Sequence, residues 1–314
     1  MSHDDPLDFA RRVPHDGYAW WYLDALSADK RYGLVIIAFI GSVFSPYYAY
    51  ARRRTQADPE RYCAVNVALY GVGQRWAMTE RSAHQVTRDT GCLRIGPSSL
   101  QRTEDGIDIQ LEERCAPWPR ALRGMVRVRG ITRPLAPRAL DTAGEHLWQP
   151  IAPTVRVEVD MREPALRWTG HGYLDSNRGD VPLERSFEGW HWSRTHRPDG
   201  SSTLMYDVDA RDGGGALLGI EIDRAGNAFD VTPAPRRELP RSRWGLSRVA
   251  RVTADCAVGV SQTLEDTPFY ARSELWTKQG DTTCTTVHET LSMRRFTAPW
   301  VQCMLPFRMP RITW

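Results

Sequence analysis

The amino-acid sequence predicts an all-β protein, a β-barrel or β-sandwich with few short helices. Three observations predict it. Apolar residues recur with period two in many segments, which places one set of side chains inward and the other in water. Gly, Asn and Asp turn signals separate these segments, at a spacing of roughly 8–12 residues. No segment longer than about ten residues carries the i, i+3, i+4 periodicity of a helix.

The elements follow in chain order. The longest apolar run, residues 33–44 (GLVIIAFIGSVF), is twelve residues. A bilayer span takes about 20, so the run reads as a buried strand. Residues 62–69 form the next strand, with short helical candidates at 59–61 and 79–85. Ile107, Ile109 and Leu111 alternate with Asp108, Gln110 and Glu112 after an Asp105-Gly106 turn. Val126 and Val128 alternate with Arg127 and Arg129, and Val155, Val157 and Val159 with Arg156, Glu158 and Asp160. Further strands are expected at 166–171, 187–193, 203–209, 216–222, 248–254 and 269–277. Turns at 177–179, 199–200, 212–215 and 226–227 divide them. Prolines at 134, 137, 150 and 153 punctuate the middle of the chain. They suggest two β domains, 1–155 and 156–314. The tail from residue 298, with Pro299, Pro306 and Pro310, reads as an irregular segment packed on the body.

Composition narrows the function classes. Of 314 residues, 41% are apolar and 25% charged, an ordinary globular balance. A net charge of +3, from 41 basic and 38 acidic residues, is too even to imply nucleic-acid binding. The six cysteines are scattered, so free thiols in a reducing compartment are expected. Residues 1–12 show no apolar signal-peptide core, which points to the cytoplasm. Glycine-rich nucleotide motifs, HExxH and CxxC pairs are missing, and the eight histidines have no ligand spacing. No cofactor and no metal are expected.

Four features carry possible chemistry. His146 and Trp148 stand two apart, as do Tyr173 and Asp175, so on strands each pair shares a face. His146 and Trp148 fit a core pair as well as a reactive one. Asp175 fits a turn cap as well as an inward acid, which would be costly unless paired or protonated. The segment 45–54 (SPYYAYARRR) fits a solvated barrel rim or a membrane-surface patch. The aromatic density, with Trp168, Trp190, Trp192 and Phe187, fits a packed core or an apolar cavity.

Five segments in order, 18–24 (YAWWYLD), 34–48 (LVIIAFIGSVFSPYY), 75–80 (RWAMTE), 146–153 (HLWQPIAP) and 172–177 (GYLDSN), resemble the carotenoid 1,2-hydratases of purple photosynthetic bacteria. The similarity spans roughly residues 15–300, and the GSVFSPYY block is its most specific part. It implies two lipocalin-like β domains and a cofactor-free hydro-lyase. It also implies acyclic carotenoid substrates such as neurosporene and lycopene, with water as co-substrate. The family's His-x-Trp and Tyr-x-Asp pairs match His146, Trp148, Tyr173 and Asp175. Asp175 is then the expected proton donor, protonated because burial disfavours its charged form. Trp148 and Tyr173 are expected to face the cation, and His146 to orient Asp175 or handle water. So hydrophobic a substrate implies peripheral contact with membrane lipid. A hydrophobic-ligand carrier, or a hydratase or cyclase of the same fold acting on another polyene or terpenoid, remains open.

Overall fold

The computed structural model describes residues 5–312. The alternating segments form strands, and most are joined by tight turns. β1 (Tyr18–Ser27), β2 (Gly33–Ile40), β3 (Cys63–Tyr70) and β4 (Arg75–Arg81) make an antiparallel meander. Helix α1 (Pro46–Arg52) and a 3-10 turn at Pro59–Arg61 connect β2 to β3. A second meander runs through β5 (Val86–Arg88), β6 (Cys92–Ile95), β7 (Ser98–Arg102), β8 (Gly106–Arg114) and β9 (Ala121–Arg129). After the two-residue β10 (Arg138–Ala139) come the longest strands, β11 (His146–Glu163) and β12 (Leu166–Gly179). β11 pairs with β9, and β12 with β1, so these two strands fuse both meanders into one sheet.

One face of this sheet is a hydrocarbon core. Trp21, Leu23 and Ala25 of β1, Ile36 and Ala38 of β2, Ile109 and Leu111 of β8, Val126 and Val128 of β9, and Leu174 of β12 all point into it. The sheet curls around this core until β4 meets β8, where Arg81 and Glu113 form a buried ion pair at 2.8 Å. Ser98 donates to the other Glu113 oxygen at 2.7 Å, so the pair is not left half-satisfied.

The chain divides into two compact units. The first holds the residues up to Arg138, then His146–Pro182, then those from Cys303; the second holds Ala139–Glu145 and Leu183–Gln302. In the second, after the one-turn α2 (Leu183–Ser186), come β13 (Phe187–His196), β14 (Ser202–Ala210), β15 (Leu217–Ile222) and β16 (Ala228–Asp230). A hairpin of β17 (Arg236–Leu239) and β18 (Arg248–Arg251) follows. β19 (Cys256–Asp266), β20 (Tyr270–Gln279) and β21 (Thr282–Ser292) complete a seven-stranded antiparallel sheet in the order β16-β15-β14-β13-β21-β20-β19. The short α3 (Met293–Phe296) and then α4 (Pro299–Arg308) follow, and β22 (Arg311–Ile312) runs parallel to β4 of the first sheet.

The all-β class with few short helices is therefore the observed one, while several local expectations are corrected. A division at 155/156 would fall inside β11; the chain changes unit near Pro182 instead. Pro150 and Pro153 do not end the strand. They sit at register shifts between Pro150 and Val155, where a bulge tolerates their missing N–H. The segment 45–54, read as a barrel rim or a membrane-surface patch, is mostly helix α1, and most of the tail is helix α4 rather than irregular. Of the candidate at 79–85, only Ala83–Gln85 is helical, because residues up to Arg81 complete β4.

Candidate active site

The second face of the first sheet carries the polar and aromatic groups. On β12 the even residues Gly172 and Leu174 look toward the core, so Tyr173, Asp175, Asn177 and Gly179 share the opposite face. Strand register then decides their neighbours. On one side Pro150, Trp148 and His146 of β11 stand opposite Asp175, Asn177 and Gly179. On the other side Asp24, Tyr22, Trp20 and Tyr18 of β1 stand opposite Tyr173, Asp175, Asn177 and Gly179. Both pairs singled out in the sequence thus lie on adjacent strands, side by side, on one face.

Three of the four expected residues meet directly. Trp148 Nε1 donates to Asp175 Oδ2 at 2.8 Å, and Tyr173 Oη donates to the same oxygen at 2.8 Å. Trp148 Nε1 also lies 3.2 Å from Tyr173 Oη, closing a triangle. Asn177 Nδ2 donates to the other oxygen, Asp175 Oδ1, at 3.2 Å. Asp175 is only 4% exposed, and Trp148 and Tyr173 are fully buried. The expectation that Asp175 might merely cap the following turn is not met, because β12 continues to Gly179 and carries the side chain on its buried face.

The fourth residue, His146, is buried one strand pair further along. Its Nδ1 is hydrogen-bonded to Tyr18 Oη at 2.9 Å, and the two rings stack with centroids 5.8 Å apart. Gly179 lies beneath them. A Cβ there would sit 2.6 Å from His146 Nδ1 and also collide with the Tyr18 ring, so glycine is the residue that lets the pair close. Tyr18 stacks in turn on Trp20 at 4.9 Å, Trp20 leans on Phe39, and Tyr22 meets Tyr173 edge-on at 6.2 Å. The face is a row of rings interrupted by acid and amide groups, with low polarity around each one.

Sequence reasoning missed Tyr18, Trp20, Tyr22, Asp24 and Asn177 as parts of this face. The signal was present. YAWWYLD alternates with period two, so its residues 18, 20, 22 and 24 had to share a side, and Asn177 stands two after Asp175. Of the other aromatics, Trp168 packs in the hydrocarbon core of the first unit, while Trp190 lies between Phe187 and Tyr206 in the second. Among the described residues, no three His, Cys, Asp or Glu side chains group as a metal site requires.

A family model described as carotenoid hydratase CrtC matches residues 36–314. An acyclic carotenoid 1,2-hydratase of Thiocapsa roseopersicina is 51% identical over 306 residues, covering 97% of this chain and 75% of that protein. One of Rubrivivax gelatinosus is 43% identical over 308 residues, covering 96% and 75%. Among solved structures, a putative AttH from Nitrosomonas europaea superposes with a TM-score of 0.67 at 13% identity, over 92% of this chain and 96% of that one. At that identity the likeness speaks for the fold alone.

Proposed function

Because the chain belongs to the carotenoid hydratase family, we propose that it adds water to the terminal C1–C2 double bond of an acyclic carotenoid, with Asp175 as the acid. The observation that carries this reading is the buried Trp148–Tyr173–Asp175 triangle. In this reading Asp175 starts as the neutral acid, with the proton on Oδ1, the oxygen that does not take the Trp148 and Tyr173 donors. That proton goes to C2, the less substituted alkene carbon, and leaves a tertiary cation at C1. Water adds at C1 and loses a proton, which returns to Asp175.

The surroundings match the charges that develop. As Asp175 becomes a carboxylate, donors already aimed at both its oxygens stabilise it without rearrangement. The tertiary cation lies against indole and phenol faces, each contributing about 0.5–2 kcal/mol when desolvated. Trp148, Tyr173 and Asn177 orient the acid, so water handling falls to His146. Tyr18 engages its Nδ1, and Nε2 is the atom that takes the water's proton.

Neurosporene and lycopene are the substrates we propose. Incubation with either in ¹⁸O-labelled water tests the reading: a labelled tertiary alcohol is expected from the native protein and none from Asp175→Asn. Native turnover in that variant would remove Asp175 from the acid role.

A carotenoid dissolves in lipid, and we further propose peripheral membrane contact by the α1 region. Among the described residues no helix is long and apolar enough to cross a membrane. Tyr50 and Phe307 are exposed, and the Arg54 guanidinium lies over the Tyr50 ring at 4.3 Å. A groove of about 410 Å³ beside Tyr50 is lined by Pro46, Tyr47, Tyr50, Ala51, Tyr62, Pro306 and Arg311. Aromatic rings with adjacent arginines suit an anionic lipid surface.

A further inference from the structure

We propose that the amide oxygen of Asn177 seats the water molecule that the reaction consumes. The inference rests on the reading of Asp175 as the acid. Asn177 is 4% exposed, and its Oδ1 is a buried acceptor with no hydrogen-bond partner among the described residues. Burying a carbonyl oxygen without a donor is costly, because it gives up its hydrogen bonds to water, and this calls for an explanation. A water donating to that oxygen supplies one.

The direction of the amide is set by its other end. Asn177 Nδ2 points at Asp175 Oδ1. Once Asp175 has given up its proton it can only accept, so the amide must keep its nitrogen toward it. The oxygen is therefore turned away from the carboxylate at the step when water attacks. The register partners of Asn177 are Trp148 and Trp20, so the acceptor stands between two indoles. His146 is the diagonal neighbour, opposite Gly179. A water held there donates one proton to Asn177 and offers the other to His146, which leaves a lone pair for the cation.

The step balances. The Asp175 Oδ1–H bond breaks with its electron pair staying on oxygen, and the alkene π pair forms the C2–H bond. A water lone pair then forms C1–O, and the oxonium proton passes through His146 back to the Asp175 carboxylate. Without a seated water, the cation's exit is proton loss, which returns a proton from C2 or an adjacent methyl to Asp175 and leaves an alkene.

Deuterium oxide separates the two exits. At early times the ratio of alcohol to recovered carotenoid labelled at C2 reports how often the cation is captured. Asn177→Leu keeps the volume and removes the acceptor, so the ratio is expected to fall about tenfold or more while label enters the recovered alkene. The ratio belongs to molecules that turn over, so partial folding does not distort it; if Asn177→Leu yields no folded protein, Asn177→Ala serves. A native ratio in Asn177→Leu or Asn177→Ala overturns the proposal, and so does a loss of alcohol and label together. Failure of the acid reading looks different, because Asp175→Asn would then still exchange deuterium or hydrate.

Discussion

Trp148→Phe keeps a ring over the site but removes one of the two donors to Asp175 Oδ2, and Tyr173→Phe removes the other. Each hydrogen bond to a group that becomes charged contributes about 1.5–3 kcal/mol, so kcat should fall roughly 10–100-fold in either variant. KM should change less, because the ring faces remain; steady-state kinetics in detergent would show the split. Gly179→Ala should lower turnover by about tenfold by spreading Tyr18 and His146 while the strands stay paired, which circular dichroism would confirm. At this scale the sequence was informative about pairs and silent about partners. Spacing of two placed His146 with Trp148 and Tyr173 with Asp175. β11 and β12 form a hairpin, but its register, shifted between Pro150 and Val155, and the long-range pairing of β12 with β1 are encoded by no local pattern. The donors to Asp175 are legible only once that register is known.

Single elements taught a different lesson, because proline was misread twice. In β11 the prolines mark a bulge, and the bulge reorients the strand between its two roles. Before it, His146 and Trp148 serve the site face; beyond it, Val155, Val157 and Val159 serve the hydrocarbon core. In α4 Pro299 occupies the first turn, where its missing N–H is harmless, and Pro306 falls two residues before the end. Helix α1 was legible and was overlooked. Ser45 caps it by accepting from Tyr48 N at 3.0 Å, and Pro46 opens it. Ser45→Ala should cost about 1 kcal/mol of stability, measurable by urea unfolding. For membrane contact, Arg53 and Arg54 are the residues to change, since Arg52 packs over the buried Tyr48 ring. The double variant Arg53→Glu, Arg54→Glu should float less well with anionic liposomes at unchanged stability. Equal flotation would move the dock elsewhere.

Across the whole molecule, the two units answer pH with opposite sign. In the first, burial pushes Glu80 up to about 7, against the pull of Ser45 and Arg311, and burial also raises Glu113. In the unfolded chain Glu80 ionises near 4.5, so its contribution to stability declines as pH rises from there to about 7. In the second, burial and the nearby His191 push His288 down to about 3. Unfolding lets it take up a proton near 6.5, so stability drains away as pH falls from 6.5 toward 3. Calorimetry across this range should show the slope of the first unit flattened by Glu80→Gln and that of the second by His288→Asn. The all-β class was legible from period two and turn spacing alone. The division into units was not, because the second unit is an excursion from the first, and composition does not change where the chain leaves or returns.

That excursion bears on how the protein is made. β1, β11 and β12 have all emerged from the ribosome before Leu183–Gln302, the main part of the second unit, is made, so the site face can pair early. β22 is translated only after that whole unit, and until then Glu80 waits for Arg311. During synthesis the nascent first unit holds Glu80 without its guanidinium partner. The unit that begins first is therefore finished last, and the hand-over of one arginine marks its completion.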